Sequence, residues 1–394
     1  MAHPPRCRRR ARVPLRPAHP ARGRRAPRRR PRGGAPVTRV LVVTGAGGVG
    51  KTTLSAALAK VAADAGCRAL VLTVDPARRL ADALGVGELG NEPTPVEGHP
   101  GLWAAMLDVT ASWEAVIHHY AEPEVADRLL VNPFFRAIAD RFPAAQSFAA
   151  AEEMARLVES GAFEVVVVDT PPSGGGLDFF LAPRRTGELV GGRLLRWLTG
   201  AHLPARRTLY RITARPVLRL ADTVLGGPLL EEIAEFLLDL RTMYDGLRTR
   251  ARTIERHLRR ATILVVTTAD PTPLREAFRF FEELPEVDVH PDVVVFNRVL
   301  PGTWIEAADR PLRGIPDPEL RAALRHNLRR WAAEARRHEL ARRSVAERYG
   351  VPVAAVPWLP HPPATVDDLP ALLEGATGLD GVFDGGGGTV PSRP

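Results

Sequence analysis

Only two of the 54 basic residues in this 394-residue chain are lysines, and one of them, Lys51, belongs to Gly45-Ala46-Gly47-Gly48-Val49-Gly50-Lys51-Thr52. The segment directly follows the apolar run Val40 to Val43. Glycines at 45, 47, 48 and 50 let successive backbone N–H groups turn inward into an anion-binding concavity, and a helix opening at Lys51 adds the positive end of its dipole. A compact ammonium can reach β- and γ-phosphate oxygens where a planar guanidinium is too broad. Thr52 supplies a hydroxyl suited to Mg²⁺, and Thr53 completes the segment. Gly45 to Gly50 also read as G-x-G-x-x-G, with Asp75 some 25 residues beyond Gly50, which is the pattern of a dinucleotide-dependent oxidoreductase. Lys51-Thr52-Thr53 separates the two readings. A triphosphate needs that cation and hydroxyl, and a dinucleotide helix needs uncharged close packing there.

Phosphoryl chemistry also requires carboxylates. Phe163 to Val168 is a strand-like run ending in Asp169, which is where an acid organising Mg²⁺ is expected. The following Thr170-Pro171-Pro172-Ser173-Gly174-Gly175-Gly176 is expected to be a loop that changes shape with nucleotide state. Asp75-Pro76 reads either as a helix start, with Asp75 as N-cap, or as the acid that orients an attacking water; the two are compatible. His118 and His119 are adjacent and read as surface residues rather than metal ligands.

Apolar, β-branched runs alternate with helical stretches, the pattern of an α/β protein with a mostly parallel sheet wrapped by helices. The expected strands are 39–44, 69–74, 102–107, 164–168, 262–267, 292–296 and 353–356. Two longer helical stretches, about 111–160 and 184–260, interrupt this rhythm, and the second would form a helical subdomain. No run of about 18 uncharged apolar residues exists to span a membrane. Residues 1–37 hold thirteen arginines and no acid, leaving the rest at a net charge of −4. That arm reads as disordered, able to bind nucleic acid if it is made, or absent if translation begins at Val37. The Gly-rich segment 375–394 is expected to be disordered. Cys7 and Cys67 form no C-x-x-C, which points to a reducing cytoplasm.

The loop 45–53, Leu72-Thr73-Val74-Asp75-Pro76-Ala77, Asp169-Thr170-Pro171-Pro172-Ser173 and Val294-Val295-Phe296-Asn297-Arg298-Val299 together resemble the ArsA-type ATPases, the group of the arsenite-pump and tail-anchored-protein-targeting ATPases. The resemblance covers about residues 38–374 and implies a P-loop NTPase. Such a protein is a dimeric, Mg²⁺-dependent ATPase that uses ATP binding and hydrolysis to change dimer geometry for a client or partner protein. It implies Asp75 as the water-positioning acid, Lys51 as the phosphate cation, and Thr52 with Asp169 near Mg²⁺. It also implies Asn297 as the amide that reads adenine, and an amide does offer the donor and acceptor an adenine edge requires.

Three departures matter. The family's deviant loop carries a second lysine, reaching the partner's phosphates, where this chain has Ala46. The switch loop has Gly174-Gly175 where targeting members carry Gly-His. No cysteine set suits arsenite or zinc. These leave a homodimer or a heterodimer with a lysine-bearing paralogue, and a rival reading as a nucleotide-gated scaffold with little turnover. A partition-type ATPase using the arm on DNA is a further alternative. The stripe Leu229, Leu230, Ile233, Phe236, Leu237, Leu240 and Met243, with the cluster Leu194, Leu195, Trp197 and Leu198, would either line a groove for a hydrophobic client helix or pack in the protein's own core.

Overall fold

The computed structural model describes residues 38–383 other than 76–78, 134, 137–138, 140–142, 172–173, 192–235, 285–288 and 380. The Arg-rich arm, the cluster 194–198 and Leu229, Leu230 and Ile233 therefore lie outside the described residues.

An eight-stranded sheet in the order β3-β4-β2-β5-β1-β6-β7-β8 organises the chain. Its strands are β1 (Arg39–Gly45), β2 (Ala69–Thr73), β3 (Thr94–Pro95), β4 (Leu102–Met106), β5 (Val165–Asp169), β6 (Thr262–Thr267), β7 (Val293–Val299) and β8 (Val353–Pro357). All pairings are parallel except the short β3–β4 contact. All seven expected strands form, with ends shifted by a few residues. Two-residue β3, with no apolar run to announce it, was not foreseen.

Helices cover both faces of the sheet, which is why the strands are apolar throughout rather than alternating with polar residues. Leu41 and Val43 of β1 face α1 (Lys51–Asp64), whose Leu54 and Leu58 are fully buried. Burial of each leucine stabilises the fold by about 1.5–3 kcal/mol. Val40 and Val42 face the opposite layer, with α3 (Val109–Tyr120), α5 (Pro143–Glu159), α6 (Gly174–Gly191), α7 (Tyr244–Leu258) and α8 (Pro271–Glu283). Shorter helices α2 (Arg79–Leu84) and α4 (Pro123–Val131) complete the first half, and α9 (Thr303–Asp309), α10 (Pro318–Tyr349) and α11 (Ala371–Glu374) the second. The helical stretch 111–160 thus appears as α3 to α5. Of the stripe beyond residue 235, Phe236 and Met243 are buried in the core on the α7 side of the sheet.

Two expectations need correction. The glycines 174–176 are not loop but the first turn of α6. A Cβ on Gly176 would lie 2.3 Å from Thr44 Oγ1, so this glycine permits close approach of the helix to β1, and contacts with α5 and α7 outweigh its low helix propensity. The start of the Gly-rich tail is ordered: Thr377 bridges Ala355 of β8, and Leu379 and Val382 are buried beneath α1's layer. Two apolar side chains and an edge pairing decide this, against a composition that is mostly glycine beyond them. The 32-residue α10 was not foreseen, because Arg-rich stretches obscure its sparse apolar period.

Candidate nucleotide site

β1 runs between β5 and β6 in the sheet, so its carboxyl end opens at a crevice between neighbouring strands, where ligands of such sheets bind. The chain turns there through Gly45, whose φ of 140° and packing both require glycine; a Cβ would meet Val266 O at 2.0 Å. Gly50 caps α1 with φ 92°, and a Cβ there would lie 2.4 Å from Asn297 Nδ2. The positive φ at Gly45, Gly48 and Gly50 turns the chain from β1 through residues 46–50 into α1. Lys51 is buried, and its ammonium donates to Ala46 O at 2.8 Å, across the mouth of its own loop. Burial pushes Lys51 below the ordinary amine range, with the Asp169 and Asp75 carboxylates opposing the shift.

Asp169 ends β5 in register with Val43 of β1 and Thr73 of β2. Its Oδ2 accepts from Thr52 Oγ1 at 2.7 Å and from Thr73 Oγ1 at 3.1 Å. Its Oδ1 is buried with no hydrogen-bond partner. Burial pushes the carboxyl up to about 6, with the two hydroxyls and Lys51 pulling the other way. Thr44 Oγ1, at the end of β1, is likewise buried without a partner. Buried polar groups are paired as a rule, so an orphan oxygen beside a phosphate-type loop fits a cation or a bound ligand group. Thr52 and Asp169 are accordingly the residues that fit Mg²⁺. Among the described residues no group of three or more His, Cys, Asp or Glu is arranged to hold a metal ion.

Asp75 lies just past β2, its backbone N–H donating to Thr73 Oγ1 at 3.3 Å. Its Oδ2 is 3.8 Å from Arg79 Nη1. Residues 76–78, between Asp75 and Arg79 of α2, lie outside the described residues, and with them the helix start expected at Asp75-Pro76. Asn297, buried on β7, donates from Nδ2 to Val49 O at 2.7 Å and accepts the Arg298 N–H on Oδ1 at 2.9 Å. It therefore ties β7 to the glycine loop. The next residue, Arg298, is the one non-glycine with a left-handed φ, 58°, among the described residues, at the irregularity where β7 and β8 slip register.

This loop, with a Thr–Asp pair at the end of β5 and an amide from β7, coincides with the segment that a family model describes as anion-transporting ATPase, matching residues 38–309. The chain belongs to that family. An arsenical pump-driving ATPase of Halobacterium salinarum is 29% identical over 88% of this chain and 45% of its own length. ATPase GET3 of Malassezia globosa is 27% identical over 66% of this chain and 74% of its own. An arsenical pump-driving ATPase of Prosthecochloris vibrioformis is 26% identical over 66% and 61% respectively. The chain thus spans less than half the length of the first of these relatives.

For a member of the anion-transporting ATPase family, the geometry brings Gly45 to Thr53, Asp75, Asp169 and Asn297 to one end of the sheet. Part-buried Thr53 follows Thr52 on α1. Arg78 lies outside the described residues. Ala46, where the second lysine was expected, is buried. Two residues escaped the sequence reading. Thr73 joins Asp169 to the Asp75 backbone, and Thr44 presents its hydroxyl between β1 and α6. Each is a hydroxyl residue near the end of an otherwise apolar strand, a signal available from sequence but ambiguous, because Thr is also a good strand former. Among the described residues no helix is long and apolar enough to cross a membrane.

Proposed function

We propose that this chain is a Mg²⁺-dependent ATP hydrolase acting in the cytoplasm, in which nucleotide binding and hydrolysis alter a dimer that handles a client or partner protein. The observation that carries this reading is Asp169, a buried carboxylate with one oxygen held by Thr52 and Thr73 and the other orphaned. Leaving such a group unpaired is costly, and a bound cation would offset the cost.

The backbone N–H groups of 45–50 cradle the phosphates, and Lys51 leaves the Ala46 carbonyl to pair with them. Thr52 and Asp169 would hold Mg²⁺, which when bound would supply positive charge for the phosphoryl chemistry. Asp75 orients the attacking water and accepts its proton. Thr73 fixes both acids relative to each other, through Asp169 Oδ2 and the Asp75 backbone. Asn297 retains a second amide hydrogen and a second lone pair for the adenine edge after its two protein contacts are counted.

The deciding measurement is phosphate release from the purified chain with Mg²⁺-ATP, beside Lys51→Ala. That substitution removes a charge-assisted contact of about 1.5–3 kcal/mol and is expected to weaken ATP binding roughly tenfold to a hundredfold. Unchanged affinity in the variant would refute the assignment. One observation favours a second reading, a nucleotide-gated scaffold with little turnover: Ala46 offers no cation to a partner's phosphates. ATP binding without phosphate release would establish it.

A further inference from the structure

A second site lies on the far side of β7 from the glycine loop. A cavity of about 430 Å³ opens between the end of β7, the start of β8, α9 and α10, walled by Val299, Ile305, Ala335 and Val353. Its volume falls in the range of small-molecule sites. Much of it is built from residues beyond the 38–309 segment matched to the family.

One face of α10 turns inward over this cavity. Ala335, His338, Arg342, Val345 and Tyr349 recur at three- and four-residue spacing, the interval that places side chains on one helix face. Four of the five are accounted for by packing or a contact. Ala335 and Val345 are buried, His338 Nδ1 accepts the Leu300 N–H at 3.2 Å, and the Tyr349 ring stacks on Phe281 with centroids 4.4 Å apart. Tyr349 Oη and Arg342 Nε are both buried without a hydrogen-bond partner, and of the two residues Arg342 lines the cavity. The Arg342 Nε is closed to the cavity as well as to water, so an anion there would pair with the two terminal guanidinium nitrogens, which no hydrogen bond or ion pair to a described residue engages.

Two other charged residues border the cavity. Arg343 is exposed and pairs with Glu339, so together they are close to neutral and leave the charge of Arg342 uncompensated among the described residues. One net positive charge and a planar fork suit a single carboxylate. A phosphate dianion would meet the Glu339 carboxylate at the same rim.

We propose that this cavity binds a small amphipathic monocarboxylate, its head on Arg342 and its apolar body against Val299, Ile305, Ala335 and Val353. This assignment is independent of how the glycine loop is used.

The test is calorimetric titration of the full chain with octanoate, alongside octanol as a neutral analogue and inorganic phosphate. Saturable one-site binding of octanoate is expected, with octanol and phosphate at least about tenfold weaker. Arg342→Met keeps the length of the buried stem and is expected to weaken octanoate by a similar factor. Ala335→Leu, which narrows the cavity, is expected to weaken octanoate while leaving Arg342 in place. Absence of octanoate binding, or equal affinity for octanoate and octanol, would overturn the proposal. Undiminished binding to a folded Arg342→Met would do the same, and loss of the octanoate signal in Lys51→Ala would assign it to the glycine loop instead. Should Arg342→Met fail to fold, the octanol comparison and Ala335→Leu still decide.

Discussion

Ionised Asp169 comes at the expense of the fold. Its folded value of about 6 stands above the ordinary 3.8, so between those two values the folded state binds more protons than the unfolded one. The stability that protonation contributes is therefore fully present below about pH 4 and lost as pH rises through about 6. At pH 7.5 the ionised carboxylate costs on the order of 2–3 kcal/mol relative to a neutral isostere. Asp169→Asn is accordingly expected to melt above the parent at pH 7.5 without nucleotide or metal, and to lose this advantage below pH 4. It is also expected to lose the stabilisation that Mg²⁺-ATP confers on the parent. A lower melting temperature for the variant at pH 7.5 would show that Thr52 and Thr73 already repay the burial. Asp75 makes a different prediction. Asp75→Asn preserves shape, so nucleotide affinity measured by fluorescence titration should hold while phosphate release falls by about a hundredfold or more. Release at the parental rate would reduce Asp75 to a structural acid.

At the scale of elements, the site depends on how closely β1 can approach its neighbours. Gly45 and Gly48 both have positive φ, 140° and 74°, yet only at Gly45 would a Cβ strike backbone, 2.0 Å from Val266 O, whereas at Gly48 nothing lies within 4 Å. Gly48→Ala is expected to cost about 1–2 kcal/mol of left-handed strain. Gly45→Ala must in addition separate β1 from β6 and is expected to cost at least about 1–3 kcal/mol more, or to prevent folding. Urea unfolding of the pair checks this, and equal losses would mean that β6 yields at little cost. Asn297 ties β7 to Val49 of the glycine loop.

The whole molecule poses the question of assembly. Ala46 cannot donate a cation across a dimer interface, and a positioned cation of that kind is worth orders of magnitude in phosphoryl transfer. Arg79 is the described alternative, with Nη1 3.8 Å from Asp75 Oδ2 on a largely exposed side chain. We expect slow phosphate release from the chain alone and recovery on adding a paralogue that carries the missing lysine. Fast release alone, unaffected by Arg79→Ala and Arg78→Ala, would reject both the heterodimer and the arginine substitute.

Much of this was legible from the sequence because the chemistry is local. Gly45 to Thr53 lies within a single strand–loop–helix turn, and backbone conformation and the dipole of α1 follow from consecutive residues. The apolar runs likewise announced seven strands, since a strand covered on both faces must be apolar along its length. What lay beyond reach was set by register and by contacts between distant segments. Asn297 meets Val49 across 248 residues, and Thr73 meets Asp169 only because β2 and β5 pair in one particular register. Composition marked the tail as formless, but a bridge to β8 and two buried side chains order its first residues. Arg342 looked like any other arginine on a polar helix. Only the packing of α10 over β7 and β8 turns that side chain inward, because which face of a helix meets water is decided by the neighbours it buries against rather than by its own sequence.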